Sequence, residues 1–120
     1  MKKTNPTSSG AFARSPCPVA CVLDIIGDKW TLLVVRDLFA GKRTYGEFQA
    51  SFEKIPTNIL AERLKRLIEY EIIVKSPYQQ RPVRYEYVLT TKGKELGPIL
   101  KAMAQWGEKY IPGSKAISKW

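Results

Sequence analysis

The stretch IPTNILAERLKRL, residues 55–67, restricts the fold of this chain more than any other. Wound at about 100° per residue, it gathers Leu60, Leu64, Leu67 and the following Ile68 on one side. Asn58, Glu62 and Lys65 fall opposite, with Arg66 and Ile59 at one edge. Its neighbours narrow the choice. TYGEFQASF opens with Thr44, followed three residues later by Glu47, a capping-box spacing that predicts a short helix of about two turns. EKIP, residues 53–56, makes a turn, and Pro56 is placed to begin the next helix. That helix is expected to reach Tyr70, where EIIVKS switches to β-branched residues. A short capped helix, a tight turn, a second helix and a ribbon together predict a winged helix-turn-helix.

The ribbon shows a period of two. Val83, Tyr85, Tyr87 and Leu89 alternate with Arg84, Glu86 and Val88, as in a half-buried strand. SPYQQRP, polar and bracketed by prolines, is expected to form the hairpin tip. Before the helix-turn-helix, Pro18 can open a helix in which Val19, Val22, Leu23 and Ile26 recur until Gly27. Asp28 can then cap KWTLLVVRDLFA, which ends at Gly41. Trp30, Leu32, Leu33, Val34, Val35, Leu38 and Phe39 nearly encircle that helix, so it belongs in the middle of the domain. TTKGKELGPILKAMAQWGEKY carries Leu96, Ile99, Leu100, Met103, Trp106 and Tyr110 at helical steps, with Pro98 tolerated in the first turns or at a kink. The fold class is mainly α with a small antiparallel β-hairpin. A flexible arm over 1–10, the winged domain over 11–112 and a tail over 113–120 complete the expected organisation.

Composition excludes several functions. With 120 residues, 44% of them hydrophobic, the chain suits one domain with a real core. A formal charge of +9, from 20 Lys and Arg against 11 Asp and Glu, favours polyanionic partners. The absence of histidine removes the commonest general base and metal ligand, and two cysteines alone cannot complete a four-ligand zinc site. No paired carboxylates on one helix face and no glycine-rich phosphate loop point to an enzyme, so neither catalysis nor a metal or other cofactor is expected. MKKTNPTSSG has no apolar run behind its lysines and no segment is long enough to span a bilayer, so a reducing cytosol is the expected compartment and no membrane partner is expected.

The outward face of residues 55–67 is either solvated surface or a reading surface. In helix-turn-helix proteins the second helix enters the major groove, led by its N-terminal residues. Here those are Thr57, Asn58, Ala61, Glu62 and Lys65. Asn58 can pair with an adenine edge, Lys65 can meet guanine or phosphate, and Ile59 can pack on a thymine methyl. Glu62 can accept from cytosine N4 or pair with Arg66, while Arg63, on the flank of the core face, suits a structural ion pair. Gln79, Gln80, Arg81 and Arg84 are expected at the wing tip, Arg81 as a candidate minor-groove finger. The rival reading is a winged-helix module whose basic surface binds an acidic protein partner. Loss of affinity with salt, and altered sequence preference without Asn58, would discriminate the two.

CPVAC is the second candidate. Cys17 lies at a helix N-terminus and three residues from Arg14, two features that lower a thiol pKa. Cys21 lies one turn on and points away from the Val19/Leu23/Ile26 face; a disulfide between the two is geometrically poor because their Cβ vectors run parallel. The apolar side chains of the last helix, Leu96, Leu100, Met103, Trp106 and Tyr110, exceed what a small winged domain needs to cover one side, which predicts a dimer.

CPVACVLDIIGDKWTLLVVRDLFAGKRTYGEF, IPTNILAERLKRLIEYEII and PVRYEYVLTTKGKELGPILKAMAQWG together resemble the HxlR-type winged-helix transcription regulators over residues 16–107. The combination of Cys-Pro-Val, Ile-Gly-Asp-Lys-Trp and Tyr-Glu-Tyr before Leu-Thr-Thr-Lys-Gly separates it from MarR and PadR regulators. The resemblance implies a homodimeric bacterial regulator that binds double-stranded DNA at a promoter, on a pseudo-palindromic operator. It places the dimer contacts near residues 12–26, including Val19, and 96–110. It further implies that Cys17 is the residue through which oxidants or electrophiles are sensed in several members. One departure is Pro56, where the family often has a capping serine; Thr57 is the candidate substitute.

Overall fold

The computed structural model describes residues 14–116. The expected arm over 1–10, and residues 117–120 of the expected tail, lie outside the described residues. The elements are α1 (Pro18–Ile26), α2 (Thr31–Phe39), α3 (Tyr45–Gln49), α4 (Thr57–Glu69), β1 (Ile73–Gln80), β2 (Val83–Leu89), α5 (Thr91–Lys94) and α6 (Gly97–Tyr110). β1 and β2 form an antiparallel two-stranded ribbon, the wing of a winged helix-turn-helix.

Local chemistry explains most of these boundaries. Thr44 accepts from the Glu47 N–H, and the Glu47 carboxylate accepts from the Thr44 N–H at 3.0 Å, so the capping box starts α3. Leu60, Leu64 and Leu67 of α4 are buried against Val34, Val35 and Leu38 of α2, Phe48 of α3, and Ile72 and Ile73 at the base of the ribbon. α2 lies centrally, as its near-continuous apolar surface requires. No helix among the described residues is long and apolar enough to cross a membrane.

Four details depart from the sequence pattern. The recurrent Val19, Val22 and Leu23 of α1 do not face the core; only Ile25 and Ile26 at its end are buried. Helical periodicity identifies an apolar face but not the body that covers it. β1 continues through Gln80, so the connection shrinks to Arg81 and Pro82. Pro77 is tolerated because each strand of a two-stranded ribbon has a free edge, and the register shifts between Pro77 and Gln79. Only the base of β2 is half-buried: Tyr87 is in the core, whereas Val83 and Tyr85 stand on the part of the ribbon that projects beyond the body.

The final segment is two helices rather than one. Thr90 caps α5 by accepting from the Gly93 N–H at 3.0 Å, and its hydroxyl donates to the Glu71 carbonyl at 2.6 Å. Gly93 presses on the Ile72 carbonyl so closely that any Cβ would collide with it. The chain then restarts as α6, with Pro98 in the first turn, where a missing N–H costs nothing.

Candidate nucleic-acid interface

The turn between α3 and α4 is held by a buried polar network. The Asp37 carboxylate accepts from Ser51 Oγ at 2.6 Å and from Arg36 Nε at 3.1 Å. Arg36 also makes a two-pronged contact with Glu53, at 2.9 and 2.8 Å, and the Lys42 ammonium donates to Ser51. The Glu53 and Asp37 carboxylates raise the Arg36 pKa well above its ordinary value, and Arg36 in turn lowers that of Glu53. Residues 51–53 are thereby tied to α2, and Lys54 follows with a left-handed φ of 55°.

α3 and α4 are also joined directly. Gln49 Nε2 donates to Thr57 Oγ1 at 2.7 Å, and the Tyr45 hydroxyl donates to the Thr57 carbonyl at 3.3 Å. Thr57 therefore does not substitute for a cap: Pro56 holds the N-cap position and no side chain caps α4.

Thr57, Asn58, Ala61, Glu62 and Lys65 form an exposed polar face of α4 on the side away from the core. Three expectations on this helix need correction. Ile59 packs partly against the core, which limits what it can offer a thymine methyl. Glu62 pairs with Arg63 rather than Arg66. Arg66 is drawn inward, its Nη2 donating to Asp28 Oδ1 at 2.9 Å and to the buried Thr31 hydroxyl at 3.3 Å, so it leaves the reading face. The cause is Asp28, a carboxylate beneath that edge which no local pattern on α4 reveals. Arg63 makes the structural ion pair its position suggests, Nε to Asp28 Oδ2 at 2.8 Å.

Burial alone would raise the Asp28 pKa. Hydrogen bonds from Thr31, Arg63 and the Trp30 N–H, with the Arg63 charge, overcome that and hold the carboxyl well below the usual carboxylate range.

On the wing, Gln80, Arg81 and Arg84 are exposed, whereas Gln79 Nε2 donates to the Pro82 carbonyl at 3.1 Å and so braces the turn. A groove between α4 and the ribbon is lined by Tyr45, Ala61, Lys65, Lys75 and Tyr87. Lys75, whose ammonium lies 4.5 Å from the centre of the Tyr85 ring, is a basic groove residue that the sequence pattern does not single out. Its placement in the same groove as Lys65 follows from the pairing of the two strands, which sets Lys75 opposite Tyr87.

The two thiols are free. Cys17 is exposed at the N-cap of α1, and the amide N–H groups of Ala20 and then Val19 lower its pKa. Arg14 is not the cause: its Nε is paired with Asp24 at 2.7 Å. Cys21 is half-buried, its Sγ donating to the Ser15 carbonyl at 3.3 Å.

Next to α1 an open apolar groove of about 580 Å³ is lined by Val19, Val22, Leu23, Leu33, Ile99 and Met103 among others. Val19 is 67% exposed, Leu23 52%, Met103 55% and Trp106 63%, and Trp106 stacks at a tilt on Tyr110. Leu100, at 7%, lies in the protomer's own core and Leu96 packs partly against it, so these two are withdrawn from the exposed patch.

A family model described as HxlR-like helix-turn-helix matches residues 25–115. The chain belongs to the HxlR-like helix-turn-helix family. That family consists of transcriptional regulators and not of enzymes. The HxlR-like chain is 36% identical over 94 residues to the uncharacterized HTH-type transcriptional regulator Mb3122 of Mycobacterium bovis, covering 78% of this chain and 59% of that protein. It thus spans about three-fifths of the length of that relative. Among solved structures it is similar to PA1607, with 44% identity, a TM-score of 0.76, and coverage of 87% of this chain and 73% of the other. It is similar also to the redox regulator HypR in its reduced form, with 34% identity, a TM-score of 0.72, and coverage of 78% and 92%.

Proposed function

We propose that this HxlR-like protein is a homodimer that binds a pseudo-palindromic operator in double-stranded DNA at a promoter. The observation that carries the reading is the exposed polar face of α4, braced from behind by Arg36, Asp37 and Asp28 and flanked by a basic wing. Asn58 suits an adenine edge, Lys65 a guanine or phosphate, and Glu62 a cytosine N4 group, with Thr57 and Ala61 allowing close approach. Gln80, Arg81 and Arg84 reach the flanking phosphates or the minor groove. The exposed α1–α6 groove is the dimer contact, which brings two α4 helices to half-sites about 34 Å apart.

Band-shift titrations of point variants test this. Asn58→Ala should relax preference at one base position, by about 1–3 kcal/mol. Lys65→Ala and Arg81→Ala should weaken binding to all sequences and reduce the slope of log affinity against log salt by about one each. An Asn58→Ala protein with unaltered preference would reduce the α4 face to solvated surface.

The finer reading is that Cys17 makes DNA binding responsive to oxidants. Its support is the lowered pKa and exposure of the thiol at the start of a helix in the proposed dimer contact, together with the similarity to a protein named a redox regulator. Diamide would take two electrons and two protons from a pair of thiols as their disulfide forms, and a bond across the dimer would shift the two reading helices. Diamide is expected to change operator affinity of wild type and Cys21→Ser by about tenfold or more, 1.4 kcal/mol or greater, and to leave Cys17→Ser unaffected. A full response from Cys17→Ser would place the reacting thiol at Cys21, the other cysteine of the chain, and overturn the Cys17 reading.

A further inference from the structure

Asp28 follows directly on the glycine that ends α1. The Gly27 N–H donates to the Leu23 carbonyl at 2.8 Å, and a Cβ on Gly27 would collide with that same carbonyl, so the junction has little slack. From there one carboxylate reaches two elements. It accepts from the N–H groups of Trp30 and Thr31 at 3.0 and 3.1 Å and from the Thr31 hydroxyl, which fixes the start of α2. It also accepts from Arg63 Nε at 2.8 Å and Arg66 Nη2 at 2.9 Å, residues one turn apart on α4. Both arginines lie on the flank of α4 between its core face and its exposed face, so the clamp leaves Asn58 and Lys65 free.

We infer that Asp28 is a positioning residue that fixes the pose of α4 relative to α1, and so the separation of the two reading helices in the dimer. The inference rests on the DNA-binding reading above. Burial of Leu60, Leu64 and Leu67 holds α4 to the body, but apolar contact is non-directional and resists rotation of the helix weakly. Charge-assisted hydrogen bonds from two guanidinium groups to one carboxylate are directional. With the Gln49–Thr57 bond at the first turn, they select one rotation of the helix, and they alone of these lead straight back to the helix at the proposed dimer contact.

A spacing assay separates positioning from mere stability. A duplex selected from a random-sequence pool by the wild type, the same duplex with two base pairs inserted between its half-sites, and an unrelated duplex are titrated with each protein. The proteins are wild type, Asp28→Asn, and the Arg63→Lys/Arg66→Lys double variant, which keeps both positive charges but loses the fork geometry. The insertion turns one half-site by about 70° relative to the other, and wild type should discriminate against it by about a hundredfold. In both variants that ratio should fall about tenfold, with binding to the unrelated duplex within about twofold of wild type. Lost stability alone lowers all three affinities by one factor, so an unchanged ratio in the variants overturns the inference. If Asp28→Asn does not fold, the ratio measured for the double lysine variant decides the matter alone. A wild type indifferent to the insertion overturns the dimeric DNA-binding reading and the positioning role with it.

Discussion

Replacing Met103 and Trp106 with glutamate is expected to yield a monomer whose operator affinity is lower by about a hundredfold or more. Both side chains are more than half exposed on α6, beside the groove that α6 forms with α1. Burying a large apolar side chain contributes about 1.5–3 kcal/mol, and in a two-fold symmetric contact each position counts twice. A glutamate there would also have to leave water without a partner, which adds to the loss. The core should be unaffected, since neither side chain is buried in the protomer. Leu100 is the contrast: it lies in the core, so Leu100→Ala should lower stability by about 2–5 kcal/mol without specifically dissociating the dimer. Sedimentation equilibrium at micromolar concentration, paired with a band shift, checks the prediction. A wild type that sediments as a monomer contradicts it.

Asp37→Ala is expected to cost about 3 kcal/mol of stability, near the lower end for breaking a buried ion pair. The carboxylate is buried and accepts from both Arg36 and Ser51. Its removal leaves the Ser51 hydroxyl without its acceptor and takes one carboxylate from a guanidinium that is itself largely buried. Arg36 keeps Glu53, which limits the loss. Urea unfolding followed by circular dichroism measures the change, and a loss below about 1 kcal/mol would show that the network is not what holds the turn.

The parts of the fold legible in the sequence are those encoded over one or two turns of chain. Thr44 and Glu47 announce α3 because the capping box is complete within four residues. Leu60, Leu64 and Leu67 announce the buried side of α4 because a helix repeats on that scale. Other features depend on partners far along the chain. Arg66 sits at the edge of an attractive reading face, and only Asp28, 38 residues earlier, turns it inward. Arg14 is near Cys17 in sequence, yet Asp24 claims it. The length of β1 depends on a register shift at Pro77, and the break between α5 and α6 on the close approach of Gly93 to Ile72. Val19 and Leu23 recur at helical spacing yet are more than half exposed, because periodicity marks an apolar face without showing what covers it.

The most direct test of sequence-specific, dimeric DNA binding is selection by the wild-type protein from a pool of random duplexes, with affinity for the winners measured across salt. The expected product is an inverted repeat with half-site centres about 10 base pairs apart, or a multiple of that, bound with a steep linear fall of log affinity against log salt. A pool that yields no enriched motif, or only single unpaired half-sites, would contradict dimeric, sequence-specific binding.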